Sequence, residues 1–99
     1  MTYVIFEVKS VDVGKINILA KDDLISRQSI LTREASSLDL DGDVSYVKIE
    51  GSDDGLKRAQ KLAKELKFKK LATKKAKEVN NKIKEQEDSA ASGMGMIFD

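Results

Sequence analysis

VSYVKIE (Val44–Glu50), GSDDG (Gly51–Gly55) and LKRAQKLAKEL (Leu56–Leu66) follow one another as strand, turn and helix. The first run is β-branched and aromatic. Its Val44, Tyr46, Lys48 and Glu50 oppose Ser45, Val47 and Ile49, so apolar groups lie on both faces and the strand is expected to be covered on both. In the third run Leu56, Ala59, Ala63 and Leu66 make a helical stripe. Ser52 or Asp53 is placed to cap it, with Asp53 and Asp54 at the positive end of the helix dipole.

After Leu66 the stripe slips, and Leu71, Ala76, Val79 and Ile83 begin a new series. Two accounts fit. A short strand or turn at Lys67–Leu71 separates two helices, or one helix of roughly thirty residues carries a stutter. Phe68 beside Leu71, with no capping residue nearer than Thr73, favours the break. The strand–helix–strand unit over 44–71 is then expected to be a right-handed parallel crossover.

Toward the N-terminus, YVIFEVK (Tyr3–Lys9) is a strand. Gly14 marks a turn, and KINILAK (Lys15–Lys21) alternates as a half-buried strand that only Leu19 interrupts. Paired, the two make a hairpin with Val11–Gly14 as its loop. From Ser26 to Leu40 the positions Leu31, Ala35 and Leu38 predict a helix capped by Ser26 or Ser29, the alternative being a strand over Gln28–Thr32. Asp39–Asp43 is a turn. From Asp88 onward DSAASGMGMIFD is expected to end the last helix, leaving 1–87 as one domain and 88–99 as a flexible acidic and apolar tail. No internal repeat is present.

The chain has 99 residues, enough for one domain, and its 40% apolar content allows a modest core beside 35% charged residues. It has no His and no Cys. That removes disulfides, the usual zinc ligands, the common neutral-pH base and the thiol nucleophile, and leaves oxygen ligands for hard cations. No apolar run is long enough to span a membrane. The opening residues, with Glu7 placed early, do not read as a signal peptide, so a cytoplasmic protein is expected. Much Lys, Glu and Asp with no Cys, His, Trp or Pro fits an archaeal or A+T-rich source.

Charge is strongly polarised. Residues 56–84 hold twelve Lys/Arg against Glu65 and Glu78, a net +10, while residues 1–55 hold six bases and eleven acids, a net −5. Residues 85–99 hold four acids and no base. Such polarity speaks to partners rather than to fold. Lys57, Arg58, Lys61, Lys64, Lys67, Lys69, Lys70, Lys74 and Lys75 are the candidate contacts to a polyanion, by charge that salt would screen. The competing reading is a solvated helix face balanced by the acidic half and tail. Lysine predominates over arginine, which suits charge contact better than bidentate base reading.

Gly51–Lys57 invites comparison with a phosphate loop, but its glycines are too close, Leu56 intervenes, and Arg58 stands where a hydroxyl belongs. Asp39, Asp41, Asp43 and Glu50 resemble a calcium loop only in passing, since Val44 occupies the glycine position. Both read as turns. Ser26, Arg27, Gln28 and Ser29 stand at the expected helix start, where the amides either meet simple caps beside surface arginines or, as the alternative, receive a small anion. Met94, Met96, Ile97 and Phe98 form an apolar end suited to docking on another chain. An enzyme would have to use carboxylates such as Asp41, Asp43, Asp53 or Asp54, or a lysine.

Arg33-Glu34-Ala35, the run Tyr46–Ser52 and the run Asp88–Gly95 resemble small archaeal proteins of the methanogen type, a resemblance that brings no activity with it. The strand–Gly–helix rhythm is also similar to ferredoxin-like and ACT-type regulatory domains, which begin strand–helix–strand where two strands are read here. The resulting expectation is an α+β domain in two layers, a mixed sheet of three or four strands with helices on one face and a long basic C-terminal helical region. Its expected role is a non-enzymatic binding module without cofactor or metal, meeting nucleic acid or an acidic protein. The alternative is self-association, pairing the acidic half and the tail with another copy.

Overall fold

The computed structural model describes residues 2–86, and beyond them only the backbone course of the last helix. Strand β1, Thr2–Lys9, leads through a 3-10 stretch into helix α1, Ile16–Lys21. A 3-10 turn at Ile25–Arg27 precedes β2, Ser29–Glu34, and another at Ala35–Leu38 precedes β3, Val44–Gly51. Helix α2, Asp53–Glu65, the short β4, Lys69–Lys70, and helix α3, Thr73–Phe98, complete the chain. The class is α+β, as expected. The point at which the last helix was expected to end falls outside the described residues.

The sheet has the order β2-β3-β1-β4. Every neighbouring pair is antiparallel, so the sheet is not mixed in its pairing. β3 and β4 nevertheless run parallel, with β1 between them, so the expected crossover over 44–71 exists but spans an intervening strand. Both central strands bury side chains on both faces. Val4, Phe6, Val8, Val47 and Ile49 join Leu19, Ile25, Leu56, Ala59, Ala63 and Phe68 in one core. Ile5 and Tyr46 join Ala35, Leu38, Leu71, Ala76, Val79 and Ile83 in a second. Helices therefore lie on both faces rather than one: α1 and α2 on the first, α3 on the second, giving three layers instead of two.

Lys15–Lys21 is not a strand, and no hairpin joins it to β1, which pairs instead with β3 from Thr2↔Gly51 to Lys9↔Val44. The burial explains why. Leu19, the residue that broke the alternation, is fully buried, and Ile16 packs beside it three residues earlier, while Ile18 is 46% exposed. The working period is helical.

Ser26–Leu40 is likewise not a helix, and the alternative strand is the one realised, as Ser29–Glu34. Leu31, Ala35 and Leu38 do face one core, but from a strand and a turn. Ile30 packs into the opposite core, as strand alternation requires and a single helix face does not allow. With no helix opening at Ser26, neither helix capping by Ser26 or Ser29 nor the alternative of a small anion on Ser26, Arg27, Gln28 and Ser29 has helix amides to draw on.

With residues 16–21 helical, the order becomes β-α-β-β-α-β around a sheet with β1 and β3 at its centre. That is the split βαβ, ferredoxin-like arrangement. The departure from strand–helix–strand read in the sequence disappears. α3 is added to it, on the face opposite α1 and α2. Among the described residues no helix is long and apolar enough to cross a membrane.

Candidate anion-binding edge

α2 starts where its amides find partners. Ser52 Oγ accepts the Gly55 N–H at 3.2 Å, and Gln28 Oε1 accepts the Ser52 N–H at 2.9 Å. The loop that invited comparison with a phosphate loop is thus a capping turn, the amides of Ser52 and Gly55 already engaged and Asp53 and Asp54 beside them. Leu56, Ala59 and Ala63 face the sheet, which leaves Lys57, Lys61 and Lys64 in solvent. Arg58 turns aside to Asp22, Nε to Oδ2 at 2.8 Å. The Asp22 carboxylate also accepts the N–H groups of Leu24 and Ile25. The Ile25 N–H first, and the Arg58 hydrogen bond next, hold its pKa below the usual carboxylate value. Arg58 therefore fastens α2 to the turn before β2 and does not stand free.

α2 ends in a tight reversal. The Lys67 N–H reaches the Lys64 carbonyl at 3.1 Å and the Phe68 N–H reaches the Ala63 carbonyl at 2.9 Å. This paired motif places Lys67 in the left-handed region, φ 62°, where glycine is the usual occupant. Phe68 then drops into the core and leads into the edge strand. Alternation sends Phe68 and Lys70 to the α2 side and Lys69 and Leu71 to the α3 side. Lys70 Nζ donates to Gln60 Oε1 at 3.1 Å, which fixes it over α2. α3 follows with Lys74, Lys75 and Lys77 in its opening turns and no acidic residue in the first.

Lysines from three consecutive elements therefore meet at one edge of the sheet: Lys64 and Lys67 at the end of α2, Lys69 and Lys70 on β4, Lys74 and Lys77 at the start of α3. All six are exposed. Of the twelve bases between Leu56 and Lys84, only Arg58 and Lys75 have a carboxylate within ion-pair distance among the described residues, and Lys75 reaches Glu78 at a loose 3.9 Å. Glu7 lies opposite Lys69 in register without forming such a pair. Lys57 is remote, roughly 15 Å from Lys67 along the helix axis. Lys61 stands between.

Beside β4 a groove of about 400 Å³ is lined by Phe6, Gln60, Lys64, Lys67, Phe68 and Lys70, with no carboxylate in its wall. Gln60, Phe6 and Lys77 were not among the sequence candidates. Gln60 was findable, since it lies one helical turn before Lys64 on the same side. Nothing local marks Phe6.

The other candidates disperse. Glu50 sits in mid-sheet opposite Tyr3 and Ser29, away from Asp39, Asp41 and Asp43 in the β2–β3 connection. There Asp39 is left-handed at φ 58° and Asp43 accepts the Ser10 hydroxyl at 2.6 Å, as turn residues do. Among the described residues no three carboxylates gather as a metal site would require. Asp53 and Asp54 lie on the first turn of α2, separate from Asp41 and Asp43. Met94, Met96, Ile97 and Phe98 lie outside the described residues.

Compared with known proteins, the chain matches no family model, no curated protein and no solved structure.

Proposed function

We propose that this chain is a cytoplasmic, non-enzymatic module that binds a polyanion along the β4 edge. The observation that carries the reading is the meeting of Lys64, Lys67, Lys69, Lys70, Lys74 and Lys77 at one edge, with none of the six in an ion pair among the described residues. Fold electrostatics alone would not choose this layout. Cations in the first turn of α3 sit at the positive end of its dipole, an unfavourable placement of a few tenths of a kcal/mol each, roughly. A bound anion reverses the sign of that term. Nucleic acid supplies such an anion at regular spacing.

Fluorescence anisotropy with a labelled single-stranded oligonucleotide, at low and at physiological salt, tests the proposal. Binding that weakens steeply with salt and is lost in Lys69→Glu/Lys70→Glu supports it. No binding at low salt, or tight binding indifferent to salt, removes it. Self-association uses the same edge, facing the exposed Asp39, Asp41 and Asp43 of another copy. A dimer that dissociates with salt and ignores nucleic acid would transfer the proposal to that reading.

A further inference from the structure

The two borders of the sheet are built differently. β4 offers two residues, both lysine, and their like charges repel a second copy of the same strand. β2, at the far border, has six residues, pairs with β3 without a bulge, and contains neither Lys nor Pro. It thus lacks most of the devices that keep an edge strand from pairing again. Its outward groups can be identified. The Thr32 carbonyl accepts from Arg33 Nη1 at 2.9 Å and the Glu34 carbonyl from Ser37 Oγ at 2.7 Å, so the even-numbered residues turn their main chain away from β3. The Leu71 N–H on the Ile5 carbonyl fixes the same phase, carried through β1 and β3. Ile30 shares the outward side. The strand is also apolar on both faces, with Ile30 and Leu31 half-buried over opposite cores.

On the α3 side of this border lies a hollow of about 270 Å³, lined by Ser29, Ile30, Leu31, Lys48 and Glu50. The Glu50 side chain is half-buried and forms no ion pair among the described residues. Its neighbour Lys48 is turned to the Tyr3 ring, Nζ 5.1 Å from the centre. An incoming strand that supplies a cation would fit this hollow. β2 carries one itself, Arg33, two residues after Leu31 and on the same face.

We infer that β2 pairs with β2 of a second copy, antiparallel about a twofold axis through Leu31, so that the two sheets become one. A twofold perpendicular to the sheet keeps each side chain on its own face, which restricts the register to partners of equal parity. With Leu31 against Leu31, Ile30 of each copy exchanges both main-chain bonds with Thr32 of the other, and Arg33 falls opposite Ser29. Strands lie about 4.8 Å apart, so Arg33 stands about 10 Å from Glu50 of the other copy with only Ser29 between, a span that the two side chains bridge. Arg33 yields the Thr32 carbonyl to the partner's strand and gains a carboxylate. Placing Thr32 against Thr32 instead would set Arg33 opposite Leu31 and beside Lys48, a like-charge contact. Charge therefore selects both the second copy and its register. The surface lies across the sheet from the β4 edge, and the pairing does not depend on what that edge binds.

Sedimentation velocity on the full chain, from low to high micromolar concentration at physiological salt, tests the pairing. Wild type is expected to shift from monomer to dimer over that range. Thr32→Pro removes an outward N–H that β3 does not use, and circular dichroism checks that the fold is kept. It is expected to weaken the dimer about tenfold or more, since each copy loses a main-chain bond. Arg33→Glu and Glu50→Arg each bring like charges together and are each expected to weaken it about tenfold. The double variant Arg33→Glu/Glu50→Arg is expected to recover most of the wild-type affinity. Lys69→Glu/Lys70→Glu should leave the dimer unchanged. A wild-type monomer at every concentration would overturn the inference and leave the edge to a strand of another protein. A dimer undiminished in Thr32→Pro, or single charge reversals that the double variant fails to rescue, would overturn it as well. Loss of the dimer in Lys69→Glu/Lys70→Glu would move the contact to the β4 edge and overturn it too.

Discussion

On the proposed reading, Lys67 trades stability against binding. At φ 62° a side chain crowds its own backbone, a strain of about 1 kcal/mol that glycine does not carry. Lys67→Gly is therefore expected to stabilise the fold by about 1 kcal/mol in urea denaturation, or about 4–8 °C in Tm for a chain of this size, while weakening oligonucleotide binding. A variant that lost both stability and binding would show that the lysine has a packing role instead. Tyr46 is the other informative residue, 2% exposed beneath α3. Burial foremost, and the carboxylates of Glu7 and Glu78 after it, raise its pKa above the ordinary 10.0. The folded state thus holds its proton longer than the unfolded chain does. Stability is whole below about pH 10 and falls as pH climbs toward the folded value, by at most about 1.4 kcal/mol per pH unit. The difference between wild type and Tyr46→Phe isolates the phenol. Tyr46→Phe is expected to soften the alkaline decline, and parallel stability curves would refute this.

Between elements, the least visible joint is Gln28. Its Oε1 accepts the Ser52 N–H and its Nε2 donates to the Leu24 carbonyl at 3.0 Å, so one side chain ties the turn before β2 to the start of α2. Gly51 and Gly55 make room for it, since a Cβ on either would overlap the Gln28 side chain. Alanine normally improves a helix over glycine by up to about 1 kcal/mol. Here Gly55→Ala is expected to destabilise by about 1–2 kcal/mol, because displacing Gln28 breaks two hydrogen bonds. In a Gln28→Ala background the same change should be neutral or stabilising. Additive effects across that double-mutant cycle would dismiss the joint. The joint also illustrates which elements were legible. Val44–Leu66 could be read because cap, stripe and alternation all agree locally. Ile16–Lys21 and Ser29–Glu34 could not, because each is short and takes its form from what it packs against. Leu19 must reach the α2 side of the sheet, and Leu31 and Ile30 must serve opposite cores.

For the whole molecule, the basic segment was plain in the sequence but its convergence was not. Spacing along Leu56–Lys84 spreads lysines around two helices, and only the placement of those helices on opposite faces, joined through an edge strand, brings Lys64, Lys69 and Lys74 to one border. Arg58 was indistinguishable from its neighbours until Asp22 arrived from thirty-six residues away. Position, not total charge, should therefore govern binding, and paired substitutions of equal charge separate the two. Lys69→Gln/Lys70→Gln and Lys57→Gln/Lys61→Gln each remove two positive charges, the first pair from the β4 edge and the second from the outer face of α2. In a single-stranded complex, each phosphate deprived of its lysine lowers the slope of log K against log salt by about 0.7. The edge pair is expected to lower it by about 1.4 and to weaken binding at every salt concentration below physiological strength. The α2 pair should leave the slope nearly unchanged, because long-range attraction from an exposed charge is screened within about 10 Å at moderate salt. Equal slopes for the two double variants would mean that the lysines act only through net charge, and the edge would then hold no more claim to the ligand than any other basic face of the molecule.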